Sequence, residues 1–305
     1  MLLALIQMSL LIACGSFWKS HAPAHIASSS HRRALTDLVF YLLLPALVLD
    51  VIWQAPLDST SLQIPLAAMS GIATGLVVIG LLFRFINVSN AQKGALLLAA
   101  SFPNATYLGL PVLEQVIGTH SRSFALQYDF FACTPILLTF GILIAHHYGS
   151  TKVEVHPLRE LRKIPALWAV ILGIILNLSD VPQANIIHSV LSLLSGAVVP
   201  LMLIVLGMSI RWASLHLRYM PVLLPIAVTS LVLVPIMVMT VSHLIGIEKE
   251  ISIMLILLGG MPTMVFGIVI CERYHLDTEL YAAAVTLTTV ASLVTLPLWF
   301  SFLSV

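Results

Sequence analysis

The sequence predicts an all-α membrane protein of ten transmembrane helices, arranged as two inverted five-helix repeats, and three observations predict it. First, 59% of the 305 residues are hydrophobic and only 9% are charged, against roughly 25% charged residues in a soluble domain. Second, apolar windows recur at the length a bilayer demands, about 20 residues per spanning helix. Third, the two halves of the chain carry matching interruptions. The alternating polarity of a membrane β-barrel is absent. Lys plus Arg and Asp plus Glu, 14 and 13, nearly cancel, which leaves no electrostatic basis for a nucleic-acid partner.

In chain order the windows fall at 2–18, 36–54, 62–84, 93–117, 123–147, 164–179, 186–210, 219–245, 250–271 and 279–304. A signal peptide carries its positive charges ahead of the apolar run. Here Lys19, Arg32 and Arg33 follow it, so the first window reads as a span despite the cleavage-like Ala22-Pro23-Ala24. The second segment holds a central Pro45, and the third has no acidic residue. The fourth reads "SFPNATYLGLPVLEQVIG", and the fifth carries Gln127 and Asp129. The seventh contains Pro200 in "VVPLMLIVLG", and the ninth reads "GMPTMVFGIVICERYHL". The longest polar connection divides the chain into a first repeat (1–147), a linker (148–163) and a second repeat (164–305).

Counting Lys and Arg by loop puts twelve on one side, Lys152 among them, and only Arg122 and Lys249 on the other. By the positive-inside rule the twelve face the cytoplasm, so both termini are expected outside. Five crossings per half is an odd number, so the second half must enter the membrane upside down relative to the first. Pro103-Asn104 then aligns with Pro262-Thr263, and Pro45 with Pro200. Inverted repeats with interrupted helices at matching positions are the pattern of a secondary transporter with alternating access.

The breaks in segments 4 and 9 lie about 15 and 18 Å from their segment starts at helical rise, near the midplane. Proline removes a donor and displaces the carbonyl four residues earlier. In lipid the freed groups need protein or a watery cavity. Pro103 is expected to end one half-helix and Pro111, after the permissive Gly109, to begin the next, with Asn104 to Leu108 unwound between them. Pro45, Pro200 and Gly267 are read as further helix-breaking points. Two crossed breaks would aim half-helix N-termini at one point, which favours an anion. The candidate binding residues there are Pro103, Asn104, Ala105 and Thr106, with Pro262 and Thr263 opposite: Asn104 donates and accepts, and the threonines add hydroxyls. The plainer alternative is a packed kink capped by Asn104.

Asp129, about 9 Å into segment 5, is the candidate ion-coupling group, with pairing to Arg122 or an interfacial place as alternatives. Asp50 and Glu114 fall near segment ends, and Glu272-Arg273 reads as a solvated end. Cys14, Cys133 and Cys271 have no metal or redox spacing. Of the eleven histidines, His21 and His25 flank Pro23 and His146-His147 are adjacent, so no metal site is expected. No nucleophilic triad, phosphate loop or nucleotide fingerprint is present, so neither an enzyme nor a cofactor is expected.

At "FYLLLPALVLD", "SFPNATYLGLPVL", "VVPLMLIVLGMSI" and "GMPTMVFGIVICERYHLDTELYAAAVTLTTVASLVTLPLWF" the sequence resembles the auxin efflux carrier family, which includes plant PIN-formed carriers and bacterial malate or malonate permeases. Gln127 in "FALQYDFF" resembles the family's glutamine of the fifth segment. The resemblance implies ten helices, with segments 1, 2, 6 and 7 as a scaffold and segments 3 to 5 and 8 to 10 as a unit that moves like an elevator. It implies a small carboxylate held at the crossing by Asn104, with Pro262-Thr263 opposite. The plant carriers' acidic residue in segment 3 and their long central loop are missing, which argues against auxin as the substrate.

The function expected is therefore transport of a small mono- or dicarboxylate by a multi-pass permease of a bacterial inner membrane. A homodimer is expected by analogy of fold alone. The competing readings are a sodium-coupled symporter of the bile-acid type, for which segment 9 offers few oxygen ligands, and a receptor or channel on the same fold. An inside-negative potential drives a monoanion outward by about 2.3 kcal/mol per 100 mV, so export needs no coupled ion and import does.

Overall fold

A computed structural model describes residues 2–23, 26–150 and 157–304. Ala24 of the cleavage-like site, His25, Lys152 and part of the central linker lie outside the described residues. Among the described residues there is no strand, and six helices are long and apolar enough to cross a membrane. They are Ser28–Gln54, Thr60–Leu82, Ser121–Tyr148, Asn185–Ser209, Leu217–Leu244 and Thr278–Leu303. Leu2–His21 and the shorter apolar Pro165–Leu178 complete the continuous helices of comparable length. Two further stretches are interrupted: Asn90–Ser101 is followed by Leu110–Val116, and Lys249–Gly259 by Gly267–Tyr274. Helices satisfy their own backbone, which is why apolar segments take this form in lipid.

Prolines shape these helices in two ways. At Val39–Leu43, Ala105–Gly109, Asp129–Cys133 and Thr229–Leu233 the helix widens by one residue, closing i to i+5 bonds such as Leu44 N–H to the Val39 carbonyl. Each of these four wide turns stops two residues before a proline, namely Pro45, Pro111, Pro135 and Pro235, whereas a fifth, Leu137–Gly141, has no proline after it. The proline ring would strike the carbonyl four residues back, and the wider turn carries that carbonyl aside. Pro45 therefore widens a helix that runs on from Ser28 to Gln54 rather than breaking it. Pro200 does not break its helix either: Asn185–Ser209 is uninterrupted. In an apolar environment no water takes up released carbonyls, so the ladder closes around a single proline.

The helices fall into two packing groups. Leu2–His21 lies along Asn185–Ser209, and the 44–54 part of the second helix packs on Pro165–Leu178 and on Asn185–Ser209. In the other group the 234–244 stretch packs on Thr60–Leu82 and Lys249–Gly259, while Asn90–Ser101 packs on Thr60–Leu82, Ile142–Tyr148 and Thr278–Leu303. At one end of the first group Asp50 accepts from Gln183 Nε2 at 3.0 Å and lies 3.1 Å from His188 Nδ1, while Trp53 donates to the Val181 carbonyl at 2.8 Å. The Glu272-Arg273 end is exposed to solvent, and it is also tied by ion pairs. Arg273 forks onto Glu160 of the short Pro157–Leu161 helix at 2.8 and 3.0 Å, and Glu272 lies 3.8 Å from Arg211.

Candidate functional site

The two interrupted segments meet at their breaks. Pro103 and Thr263 form an isolated antiparallel bridge. Asn104 N–H donates to the Pro262 carbonyl at 2.8 Å, and Met264 N–H donates to the Phe102 carbonyl at 2.9 Å. Each break thus satisfies backbone groups that the other frees, which is the condition for unwound chain at membrane depth.

Thr263 completes the exchange. Pro103 has no N–H with which to reach the carbonyl of Ala99 four residues earlier. The Thr263 hydroxyl donates to that carbonyl at 2.8 Å, and Thr263 N–H donates to Thr288 Oγ1 at 3.1 Å. Tyr281 O–H donates to the Met264 carbonyl at 2.8 Å. It reaches there only because residue 267 is glycine: a Cβ at Gly267 would stand 2.0 Å from the Tyr281 oxygen.

The unwound stretch is shorter than the sequence suggests. It covers the residues around Pro103, and Ala105–Gly109 is wound as a wide turn leading into Leu110–Val116. The Asn104 carbonyl accepts from Leu108 N–H at 3.3 Å and Gly109 N–H at 3.0 Å, so Asn104 begins the second half-helix instead of starting a link. Gly109 lies inside this turn, and Pro111 occupies the first turn of the half-helix as expected. The wide turn ahead of Pro111 is the physical reason, since it keeps residues 105 to 109 hydrogen bonded.

Beside the crossing lies a narrow cleft of about 50 Å³. Its polar lining is Asn104, Thr106, Tyr107, Asp129 and Thr134; its apolar lining includes Phe40, Leu44, Phe130, Met264 and Phe266. Phe40 and Phe266 stack at 6.1 Å across it, one from each packing group. Asp129, 3% exposed, accepts from the hydroxyl of Thr106 on one carboxyl oxygen and from that of Thr134 on the other, the latter at 2.9 Å. In a regular helix residues five apart point roughly 140° away from each other. The wide turn Asp129–Cys133 closes that angle and sets Thr134 under Asp129.

Two features give the cleft its chemistry. The side-chain amide nitrogen of Asn104, 2% exposed, has no hydrogen-bond partner among the described residues. Arg122 does not pair with Asp129; it pairs with Glu114. Among the described residues no Lys, Arg or His lines the cleft and Asp129 has no basic partner within ion-pair distance.

Of the residues singled out in the sequence, Asn104, Thr106 and Asp129 come together in the cleft. Pro103, Ala105, Pro262 and Thr263 form or support the crossing without lining it, and Gln127 is buried outside it with an unpartnered side-chain oxygen. The sequence reading missed Phe40, Tyr107, Thr134, Met264 and Phe266. Thr134 alone had a local signal, a hydroxyl before Pro135 on the turn that carries Asp129.

A family model described as membrane transport protein matches residues 1–300. The chain is 28% identical over 268 residues to an uncharacterized transporter of Methanothermobacter thermautotrophicus, covering 87% of each chain. It is 25% identical over 299 residues to one of Methanocaldococcus jannaschii, covering 95% of this chain and 94% of the other. It is 22% identical over 284 residues to the uncharacterized transporter YfdV of Escherichia coli K12, covering 89% and 88%.

Proposed function

This chain belongs to the membrane transport protein family, the family of the auxin efflux carriers, and is a multi-pass membrane protein; we propose that it carries a small monocarboxylate together with a proton. The observation that carries this reading is the Asn104 amide, unpartnered among the described residues, in a cleft where Asp129 is the one carboxyl among them and faces no described cation. A buried donor without an acceptor costs about 1 to 3 kcal/mol, which a ligand oxygen recovers. A substrate carboxylate beside an ionised Asp129 would place two like charges in a small, water-poor space, where repulsion is strong. The carboxylate enters when Asp129 carries a proton, and the pair crosses as a neutral unit.

The lining narrows the substrate. A dianion would need positive charge that the cleft lacks, whereas Phe40, Phe130 and Phe266 suit an apolar body attached to one carboxylate. Coupling to a proton also supplies what import requires and what an uncoupled anion lacks, because a neutral pair does not work against the membrane potential.

In this reading the interrupted segments are the fourth and ninth of ten, related by an inverted repeat. The group built on residues 2–21, 28–54, 165–178 and 185–209 is the scaffold, and the rest moves past it with the crossing. The division into two packing groups supports this, with the cleft lined by Phe40 and Leu44 from one and by the crossing from the other. The excess of Lys and Arg on one side supports a placement with both termini outside the cytoplasm.

The test is uptake by proteoliposomes of radiolabelled short monocarboxylates, indole-3-acetate, malonate, malate and oxalate, driven in turn by an inward proton gradient, a sodium gradient and a potential alone. Accumulation of a monocarboxylate with the proton gradient, lost in Asn104→Ala, is expected. Accumulation driven only by sodium would assign Asp129, Thr106 and Thr134 to a sodium ion. Uptake of dicarboxylates driven by potential alone would overturn the reading.

A further inference from the structure

A second polar pocket lies away from the crossing, on the membrane face that carries most of the Lys and Arg. It has a volume of about 110 Å³ and is lined by Lys19, Ser28, Ser29, Arg32, Arg211 and Ile268, with Met208 and Ser209. The three cations come from three places in the chain: the end of Leu2–His21, the first turns of the helix beginning at Ser28, and the residues after Asn185–Ser209. They lie close enough to repel one another. Like charges gathered in this way raise the energy of the empty site, and an anion between them lowers it.

Little in the protein neutralises them. Glu272 is 3.8 Å from Arg211. Among the described residues no carboxylate is within ion-pair distance of Lys19 or Arg32. Lys19 Nζ donates to the Ile210 carbonyl at 2.7 Å, which fixes its direction and leaves two of its hydrogens for a ligand. The helix opening at Ser28 has no side-chain cap, so its first amides and two serine hydroxyls also line the approach. Three cations against one carboxylate leave two positive charges unmatched, the charge of a phosphate monoester or inorganic phosphate.

We propose that this pocket binds a phosphate-type oxyanion, as a free anion or as the headgroup of an anionic phospholipid. The bound group would span the two packing groups, since Lys19, Arg32 and Arg211 sit around the 185–209 end while Ile268 belongs to the interrupted Gly267–Tyr274 stretch. The site is independent of the transport reading: it shares no residue with the cleft at Asn104.

The test uses the full-length protein in two arms. Equilibrium dialysis in detergent measures binding of radiolabelled inorganic phosphate, and native mass spectrometry counts phosphatidylglycerol retained from mixed phosphatidylglycerol and phosphatidylcholine nanodiscs. Arg32→Gln is expected to weaken binding about tenfold or more, from loss of a charge-assisted contact. Arg32→Lys should retain most of it and so report on folding, and Arg84→Gln on the same face should change nothing. Phosphate binding alone assigns a free anion, and retained lipid alone assigns a headgroup. No binding in either arm, binding that Arg32→Gln and Lys19→Gln leave unchanged, or binding that Arg84→Gln lowers as much as they do, overturns the proposal.

Discussion

Thr263 donates its hydroxyl to the carbonyl of Ala99 at 2.8 Å, occupying the acceptor that Pro103 leaves without a helical donor. The bond crosses between the two interrupted segments, so one break is repaired by a side chain of the other. Thr263→Val should therefore lower stability by about 1 to 3 kcal/mol, the cost of a buried carbonyl left unpaired. Thr263→Ser should stay near the parent. Thermal unfolding in detergent measures both, and a Val variant as stable as the parent would remove Thr263 from the crossing's framework.

Asn104 makes the opposite prediction. Its amide nitrogen has no partner among the described residues, so truncation removes no hydrogen bond seen there from that atom. Asn104→Ala should unfold within about 1 kcal/mol of the parent and yet bind substrate at least about tenfold more weakly. Tryptophan-fluorescence titration with the transported monocarboxylate separates the two effects. Equal loss of stability and binding would mean that the amide holds the fold.

Asp129→Asn keeps an acceptor oxygen for Thr106 or Thr134 and removes the titrating proton. Exchange of labelled for unlabelled substrate across the membrane should continue, while accumulation driven by the proton gradient falls to the level of empty liposomes. Gradient-driven accumulation that survives the substitution would move the coupling elsewhere.

Gly267 faces Tyr281 at a distance that no side chain fits. Gly267→Val should displace the ring, release the Met264 carbonyl from its 2.8 Å bond and cost about 1 to 3 kcal/mol or more. A crystal or cryo-EM structure of the variant should show the Tyr281 hydroxyl away from Met264. An unmoved ring with unchanged stability would contradict the geometry.

Outside the spanning segments, hydrogen bonds from Arg273 hold the Glu160 carboxyl down to about 2, and Lys163 adds to the effect at 2.9 Å. The folded state then keeps the charge at a pH where the unfolded chain takes up a proton. The stability this contributes is fully present above the ordinary carboxylate range near 4.5 and is lost as pH falls from there through about 2. The pair is partly solvated, so its worth is about 1 kcal/mol or less. Unfolding curves at stepwise lower pH should converge for the parent and Glu160→Gln; curves that coincide at every pH would show that the bond adds nothing.

Much of this site was legible along the chain. Prolines at Pro103, Pro111 and Pro262 inside apolar runs announce breaks because a missing donor cannot be concealed in lipid. Asn104, Thr106 and Asp129 stand out as polar groups where hydrocarbon is expected. Pro200 gave the same local signal as Pro103, yet its helix runs through. One proline inside a helix has two outcomes, a bend or a break, and the choice depends on whether another segment offers partners for the exposed groups.

The sequence by itself determined the solvent, the helical class, the prolines at which a helix could be interrupted and the family. Each follows from composition or from groups near one another along the chain. Only the tertiary structure decided the partners. Thr263 serves the Ala99 carbonyl 164 residues away rather than facing the cleft, Arg122 takes Glu114 and leaves Asp129 to two hydroxyls, and Phe40 closes the cleft from the opposite packing group. Hydrogen bonds and ion pairs act over a few ångströms in space, and nothing in the local periodicity of a helix records which distant groups will stand at that distance.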